Sequence, residues 1–294
     1  MRRYLIVFEL ICFWNHLIAD IAETSVKQCE DRYNDLKSNR RYNDRTQLFT
    51  AEFIASDCTR VQLEKKYKKP NIDIDLVSIQ FSFHYCFESL SQTNCMIRNV
   101  SQRLRTGGMF IGTTPDSQEI IKRLRQSGTN SFGNSIYSIK FDDKFLDPNY
   151  KIPIFGAKYD FHLEGVVDCP EFLVYFPVFE EICLKYGLKL VYRKSFGQLF
   201  EENKSMRDHN QLLNIMDALE VYPNRRDSSL VGDPQEDYKH AKQFYDNLSD
   251  DHKRQIGTLS KSEWEAVSLY MAFCFEKVSD FEENVSSNKR FKSS

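Results

Sequence analysis

Four polar side chains stand where apolar runs stop: Asp20 after "HLIAD", Asp57 after "LFTAEFIASD", and the neighbours His84 and Tyr85 after "IDIDLVSIQFSF". A carboxylate in such a place can accept from both hydroxyls of a ribose, or from the amino group of an adenine. It can equally cap the next helix. Spacing leaves both readings open for Asp20 and for Asp57, where Thr59 is a further cap. His84 is the one histidine at a strand end, and lone histidines are more often structural than functional. Hydrolase and kinase chemistry find little support, since the chain has neither a G-x-S-x-G elbow nor a P-loop. Its eight cysteines show no CxxC and no Cys/His ligand spacing, which argues against zinc and against a disulfide framework.

The elements that must position these residues alternate. Strands are expected at 16–20, 48–57, 72–83 and 109–116. Helices are expected at 22–39, at 89–104 with "TGG" stopping it, and over "SQEIIKRLRQSG". Four alternations predict a mostly parallel, doubly wound α/β sheet, in which ligands lie beyond the carboxyl ends of the strands. Several polar strand ends in succession then define one cleft.

The second half is less regular. "NSIYSIKF" (134–141) and "KYDFHLEG" (158–165) predict a small antiparallel insertion, which we delimit at about 134–170. "PEFLVYFPVFEEICLKYG" reads as an amphipathic helix, "LKLVYRKSF" (188–196) as a strand and "SLYMAFCFEK" (268–277) as the last strand. Residues 198–260 are charged and helical in flavour. Residues 1–15 look unrelated to the rest of the chain, 16–278 form the main domain, and 279–294 read as a polar, disordered tail with a weak basic "KRFK".

Composition is that of an ordinary globular chain, with 294 residues, 41% hydrophobic and 28% charged. The 23 Phe and 15 Tyr favour stacking surfaces as well as packing. A net charge of −2 requires any nucleic-acid partner to be met by a local patch. "MRRYLIVFELICFW" resembles a weak signal peptide, but Glu9 interrupts it and no clean cleavage site comes after it. Cysteines without a disulfide pattern fit a cytosolic or nuclear protein better. No apolar run reaches the length of a membrane span.

The segments "ADIAETSVKQCEDRY", "TAEFIASD", "QFSFHYCFES", "GGMFIGTTPDS", "YDFHLEGVVDCPEFLVYFP", "LKLVYRKSF" and "GTLSKSEWEAVSLY" occur in this order. Together, from about Leu17 to Lys277, they resemble the eukaryotic mRNA cap guanine-N7 methyltransferases. The resemblance implies a Rossmann-like class I fold, S-adenosylmethionine as methyl donor and no metal. It implies capped RNA as partner, a small activating subunit, a monomeric catalytic subunit and a nuclear location. It places Asp20 at the cosubstrate ribose and Asp57 at its adenine, with Gln80, Phe81, Ser82 and Tyr85 lining the cosubstrate. It places Arg32, His84, Glu171 and Tyr270 at the cap. Guanine N7 carries a free lone pair, so no general base is expected and catalysis rests on alignment and electrostatics. A carboxylate suits the N1–H and N2 amino donors of guanine, and aromatic faces suit a base that becomes cationic on methylation. Arg32 suits the phosphates.

One departure stands out. The resemblance implies a glycine-rich loop of D-x-G-x-G-x-G type ahead of the ribose carboxylate, yet this chain has no glycine before Gly107. "YLIVFEL" is only about five residues from "HLIAD", too close for a parallel crossover, so it can be at best a hairpin partner or part of one helix. The neighbours of the missing central strand are expected to lack a hydrogen-bonding partner. The chain alone is expected to bind S-adenosylmethionine poorly and to have little or no activity, the alternative function being cap, RNA or activator-subunit binding without catalysis.

Overall fold

The computed structural model describes residues 8–12, 15–38, 49–69, 71–224, 230–249 and 255–279. The proposed tail beyond residue 279, and residues 1–7 and 13–14 of the N-terminal segment, lie outside them. In chain order the first half comprises β1 (Phe8–Cys12), β2 (Asn15–Asp20), α1 (Glu23–Ser38), β3 (Thr50–Ala55), β4 (Ile74–Ile79), α2 (Leu90–Ser101) and β5 (Leu104–Pro115). The insertion comes next as α3 (Ser117–Ser127), β6 (Ser131–Gly133), β7 (Tyr137–Lys140), β8 (Lys158–Leu163) and β9 (Val167–Phe172). The remainder is α4 (Phe176–Lys185), β10 (Leu188–Ser195), α5 (Phe196–Asn203), α6 (Arg207–Ile215), β11 (Glu220–Tyr222), α7 (Lys239–Asp246), β12 (Ile256–Thr258), α8 (Lys261–Val267) and β13 (Tyr270–Lys277).

The main sheet has seven strands in the order β10-β13-β5-β4-β1-β2-β3. β2 and β3 are parallel, β4 and β5 are parallel, and β1 and β13 each run antiparallel to both neighbours. Five strands therefore share one direction and bring their carboxyl ends to one edge. The doubly wound α/β expectation holds, with two reversed strands inside it.

β1 corrects the expectation that the neighbours of the missing central strand are left unpaired. Phe8 pairs with Ala19 on one side and Ile79 on the other, and Leu10 with Leu17 and Val77. The segment is the hairpin partner that its short connection permits, and it occupies the central position upside down. Its backbone groups complete the ladder between β2 and β4, which meets the demand that buried N–H and C=O groups be paired. Direction is the difference: its amino end, not its carboxyl end, lies at the edge where β2 and β4 finish.

Three boundaries differ from expectation. The stretch 72–83 does not stay extended: β4 ends at Ile79, and Phe83–Glu88 form a 3-10 helix. The glycines at 107–108 do not end a helix but lie within β5, where Gly107 has φ +77° and the register with β4 slips between Ile74 and Leu76. This is a bulge, and glycine supplies the left-handed residue it needs. "PEF" belongs to β9, and the helix begins only at Phe176, with Pro177 in its first turn, where the missing N–H costs nothing.

The core lies in two clusters. One packs Phe83, Phe87, Phe110, Phe179, Phe273 and Phe275 against the main sheet, so much of the aromatic excess is packing. Gly112 permits this closeness: a Cβ there would stand 2.4 Å from the Phe273 ring and 2.7 Å from the Ile79 carbonyl. The second cluster joins Ile120 and Leu124 of α3 to Tyr137, Ile139, Tyr159 and Phe161 of the inserted sheet and to Ala266 and Leu269. That sheet is a four-stranded meander, β6-β7-β8-β9, larger than the two strands expected.

Candidate functional site

The carboxyl edge of the main sheet collects the polar strand ends. Asp20 closes β2, and its carbonyl accepts from the Ser56 N–H at 2.8 Å, which ties it to the end of β3. Its Oδ1 accepts from the Ala22 N–H at 2.7 Å, an Asx turn that leads into α1. Asp57 is more heavily engaged. Oδ1 accepts from the Thr59 N–H at 2.9 Å and its hydroxyl at 2.6 Å, and Oδ2 lies 3.3 Å from Arg60 Nε. Arg60 also reaches Glu88 at 3.2 Å, fastening this loop to the end of the 3-10 helix. Burial raises the Asp20 carboxyl above its ordinary range, the Ala22 hydrogen bond working against it. The Cys58 thiol is pushed up to about 12, first by burial and then by the charges of Asp20 and Asp57.

At the end of β4 the backbone turns sharply. Phe81 has φ +55°, a left-handed conformation that costs a bulky residue about 1–3 kcal/mol. Its N–H donates to Thr113 Oγ1 at 2.9 Å, and its ring packs edge-on to Tyr270 (5.2 Å) and Phe196 (6.1 Å). These partners converge because β5 ends where antiparallel β13 begins, with Pro115 opposite Tyr270, while Phe196 directly succeeds β10. Gln80 Nε2 donates to Ser78 Oγ at 3.0 Å, and the Ser82 carbonyl accepts from the Tyr85 N–H, opening the 3-10 helix.

That helix carries His84 and Tyr85 to the inserted sheet. His84 is 1% exposed and Glu171 3% exposed, with Nε2 and Oε1 3.2 Å apart. This is ion-pair reach without hydrogen-bond alignment, so among the described residues both His84 ring nitrogens lack an aligned partner. Buried polar atoms are rarely left so. On the other side of Glu171 the buried Tyr159 hydroxyl donates to Oε2 at 2.7 Å. The Tyr85 hydroxyl stands 3.2 Å from Cys169 Sγ. Burial raises the Tyr85, Tyr159 and Tyr270 phenols, and the Glu171 charge adds to each, so all three stay protonated at neutral pH and close to that carboxylate.

The site sits at the seam of the two cores: Phe83, Cys86 and Phe87 anchor the 3-10 helix in one, and Tyr159 and Phe161 anchor β8 in the other. His84, Tyr85, Glu171, Tyr270 and Phe81 are thus brought together, while Asp20 and Asp57 form a second group farther along the same edge. Arg32 is exposed on α1, and no described contact joins it to either group. Tyr159, Cys169, Thr113 and Phe196 were not singled out in the sequence. A signal for the first two existed: a turn at Glu164–Val166 pairs Leu163 with Val167, and counting back in twos sets Phe161 opposite Cys169 and Tyr159 opposite Glu171 on one face. Among the described residues no group of His, Cys, Asp and Glu could hold a metal ion, and no helix is long and apolar enough to cross a membrane.

A mostly parallel sheet with β1 and β13 reversed and polar side chains along its carboxyl edge is a doubly wound, Rossmann-like arrangement, in which a ligand lies beyond the strand ends. The profile of the mRNA (guanine-N(7))-methyltransferase domain matches residues 5–278. The chain is 48% identical over 267 residues to an mRNA cap guanine-N(7) methyltransferase of Drosophila melanogaster, a match covering 90% of this chain and 59% of that protein. It is 35% identical to an mRNA cap guanine-N(7) methyltransferase of Caenorhabditis elegans (89% of this chain, 66% of that protein) and 35% identical to an mRNA cap guanine-N(7) methyltransferase 1 of Oryza sativa (88% and 61%). The chain belongs to the mRNA (guanine-N(7))-methyltransferase family. It spans about three-fifths to two-thirds of the length of these relatives.

Proposed function

We propose that this chain acts in methylation of N7 of the guanosine that caps mRNA, with S-adenosylmethionine as methyl donor and capped RNA as partner. The observation that carries the proposal is a buried carboxylate, Glu171, set between the unsatisfied ring of His84 and the hydroxyl of Tyr159. Guanine offers two donors on its N1/N2 edge, and a fixed carboxylate accepts both. His84 adds ring nitrogens with capacity to spare, and Tyr270 supplies aromatic surface for the base. N7 needs no deprotonation, so these residues promote the reaction by holding the base in one orientation and excluding water. Arg32 is assigned to the cap phosphates.

S-adenosylmethionine supplies an electrophilic methyl group when bound. Asp20, Asp57, Gln80, Phe81, Ser82 and Tyr85 are the residues assigned to hold it. A partly buried carboxylate at a strand end suits the ribose, and Asp57 beside it suits the adenine. The fit covers the adenosine half: β1 ends at Cys12 on the opposite edge, so the described residues offer no strand-to-helix turn for the remainder of the cosubstrate.

The proposal takes residues 16–278 as the methyltransferase domain with the cap insertion inside it. It also includes a monomeric catalytic subunit acting in the nucleus with a small activating subunit. The test is transfer of labelled methyl from S-adenosylmethionine to capped RNA by the 294-residue chain and by Glu171→Ala. Transfer by the first is expected to be weak, since the donor edge is incomplete, and transfer by the second to be absent. The reversed β1 favours one alternative, cap binding without catalysis, which a calorimetric titration with a cap dinucleotide and no donor would reveal if transfer fails.

A further inference from the structure

The geometry points to Tyr159 as the positioning residue that sets guanine selectivity, by fixing which face of the Glu171 carboxylate is offered to the base. This rests on the proposed guanine site and names a residue the sequence did not suggest.

Glu171 lies on β9 and Tyr159 directly opposite on β8, in a register fixed by Leu163–Val167 at the turn and Lys158–Phe172 at the far end. Cross-strand neighbours on one face stand close enough for side chains to meet. Here they meet as a hydrogen bond of 2.7 Å from the phenol to Oε2, both side chains buried. Asp160 and Pro170 form the outward-facing pair beside them and are exposed, so the alternation leaves no other residue of this strand pair to hold the carboxylate. Burial and the adjacent carboxylate raise the phenol's pKa well above its ordinary value, which keeps it a donor at every working pH.

A carboxylate on a glutamate side chain turns freely unless one oxygen is tied. With Oε2 tied to Tyr159, Oε1 is directed towards His84, 3.2 Å away, and the plane of the group is set. A base that presents two adjacent donors, N1–H and the N2 amino group, is read only by a carboxylate whose plane is fixed. A base with N1–H alone, such as inosine, can follow a turning one. Tyr159 therefore serves the discrimination between guanosine and inosine caps more than affinity in general. A site built around donors rejects the analogue that lacks one because its own polar groups are left unpaired.

The test is equilibrium binding of guanosine- and inosine-capped dinucleotides to the whole chain by calorimetry, without donor. It compares wild type, Tyr159→Phe, Glu171→Gln and the double variant, each checked for an unchanged near-ultraviolet circular dichroism spectrum. Tyr159→Phe keeps the ring and its packing. We expect it to weaken the guanosine cap about tenfold and the inosine cap far less, so that the preference collapses. In the Glu171→Gln background the same change has no further effect on the ratio, because both act through one carboxylate. If Tyr159→Phe weakens both caps equally, or leaves both unchanged, the inference is overturned while the guanine site stands. If the wild type binds neither cap, the guanine site itself falls and the inference with it.

Discussion

The two ends of the sheet edge differ in how far they are assembled. At the β4–β5–β13 end most groups have a neighbour that orients them, the His84 ring nitrogens excepted. Tyr159 holds Glu171, Thr113 holds the strained turn at Phe81, and Tyr270 is wedged between Phe81 and Phe196. At the β2–β3 end the carboxylates mainly serve their own loops: Asp20 takes the Ala22 N–H, and Asp57 takes Thr59 and Arg60. Between the two ends runs β1, in the central place but reversed. In the contrast, the proposed guanine site draws its supports from elements late in the chain, while the proposed cosubstrate edge borders β1, whose direction is set by its hairpin with β2.

The contrast is broken most sharply at Glu171. Glu171→Ala removes one partner of a buried pair and leaves His84 and Tyr159 facing a void. Affinity for a cap dinucleotide is expected to fall ~100-fold or more, read by calorimetry, with thermal stability also reduced. Cap affinity that survives this change would move the guanine site elsewhere. Tyr270→Ala comes next. It strips an aromatic surface and the support of the Phe81 turn, and a loss of about tenfold in cap affinity is expected, the scale of one base–aromatic contact.

The cosubstrate end gives smaller effects. S-adenosylmethionine titrated into the chain is expected to bind more weakly than the cap dinucleotide. Tight donor binding would erase the difference between the two ends. Asp20→Asn sharpens the same point through pH. The folded-state pKa of Asp20 is raised by burial, so protonation favours the folded form. That contribution is complete below the unfolded pKa and is lost as pH rises through the folded one. At neutral pH the wild type holds a carboxylate that burial disfavours, and Asp20→Asn is expected to raise the melting temperature slightly. The difference should vanish below about pH 3, where both side chains are neutral. Smallest of all, Arg32→Ala on the exposed face of α1 is expected to change stability by less than about 0.5 kcal/mol in denaturant melts. Any loss of cap affinity it causes should fade as salt is added, as for a phosphate contact.

Much of this was legible in the chain. Apolar runs ending at Asp20 and Asp57 marked two strands, and the run 72–83 marked β4 but overran its end at Ile79, because burial and extended geometry impose a period that residue types reveal. The motifs around His84 and Glu171 pointed to the family. The short span between "YLIVFEL" and "HLIAD" allowed a hairpin or one merged helix, and a hairpin is what forms. Less legible were the boundary between strand and 3-10 helix at Gln80–Phe83 and the true place of "TGG". Both are settled by long-range partners: Thr113 for the first and the β4 register for the second.

By itself the sequence determined the family it resembles, and that the few residues between "YLIVFEL" and "HLIAD" could not carry a parallel crossover, since chain length limits reach whatever the fold. Only the tertiary structure decided that β1 would fill the centre of the sheet in reverse. It also decided that His84 would be buried against Glu171 and that Tyr159 would hold that carboxylate. Those outcomes depend on pairing between segments distant in the chain, where backbone hydrogen bonds and shared burial choose the neighbour and local residue types do not.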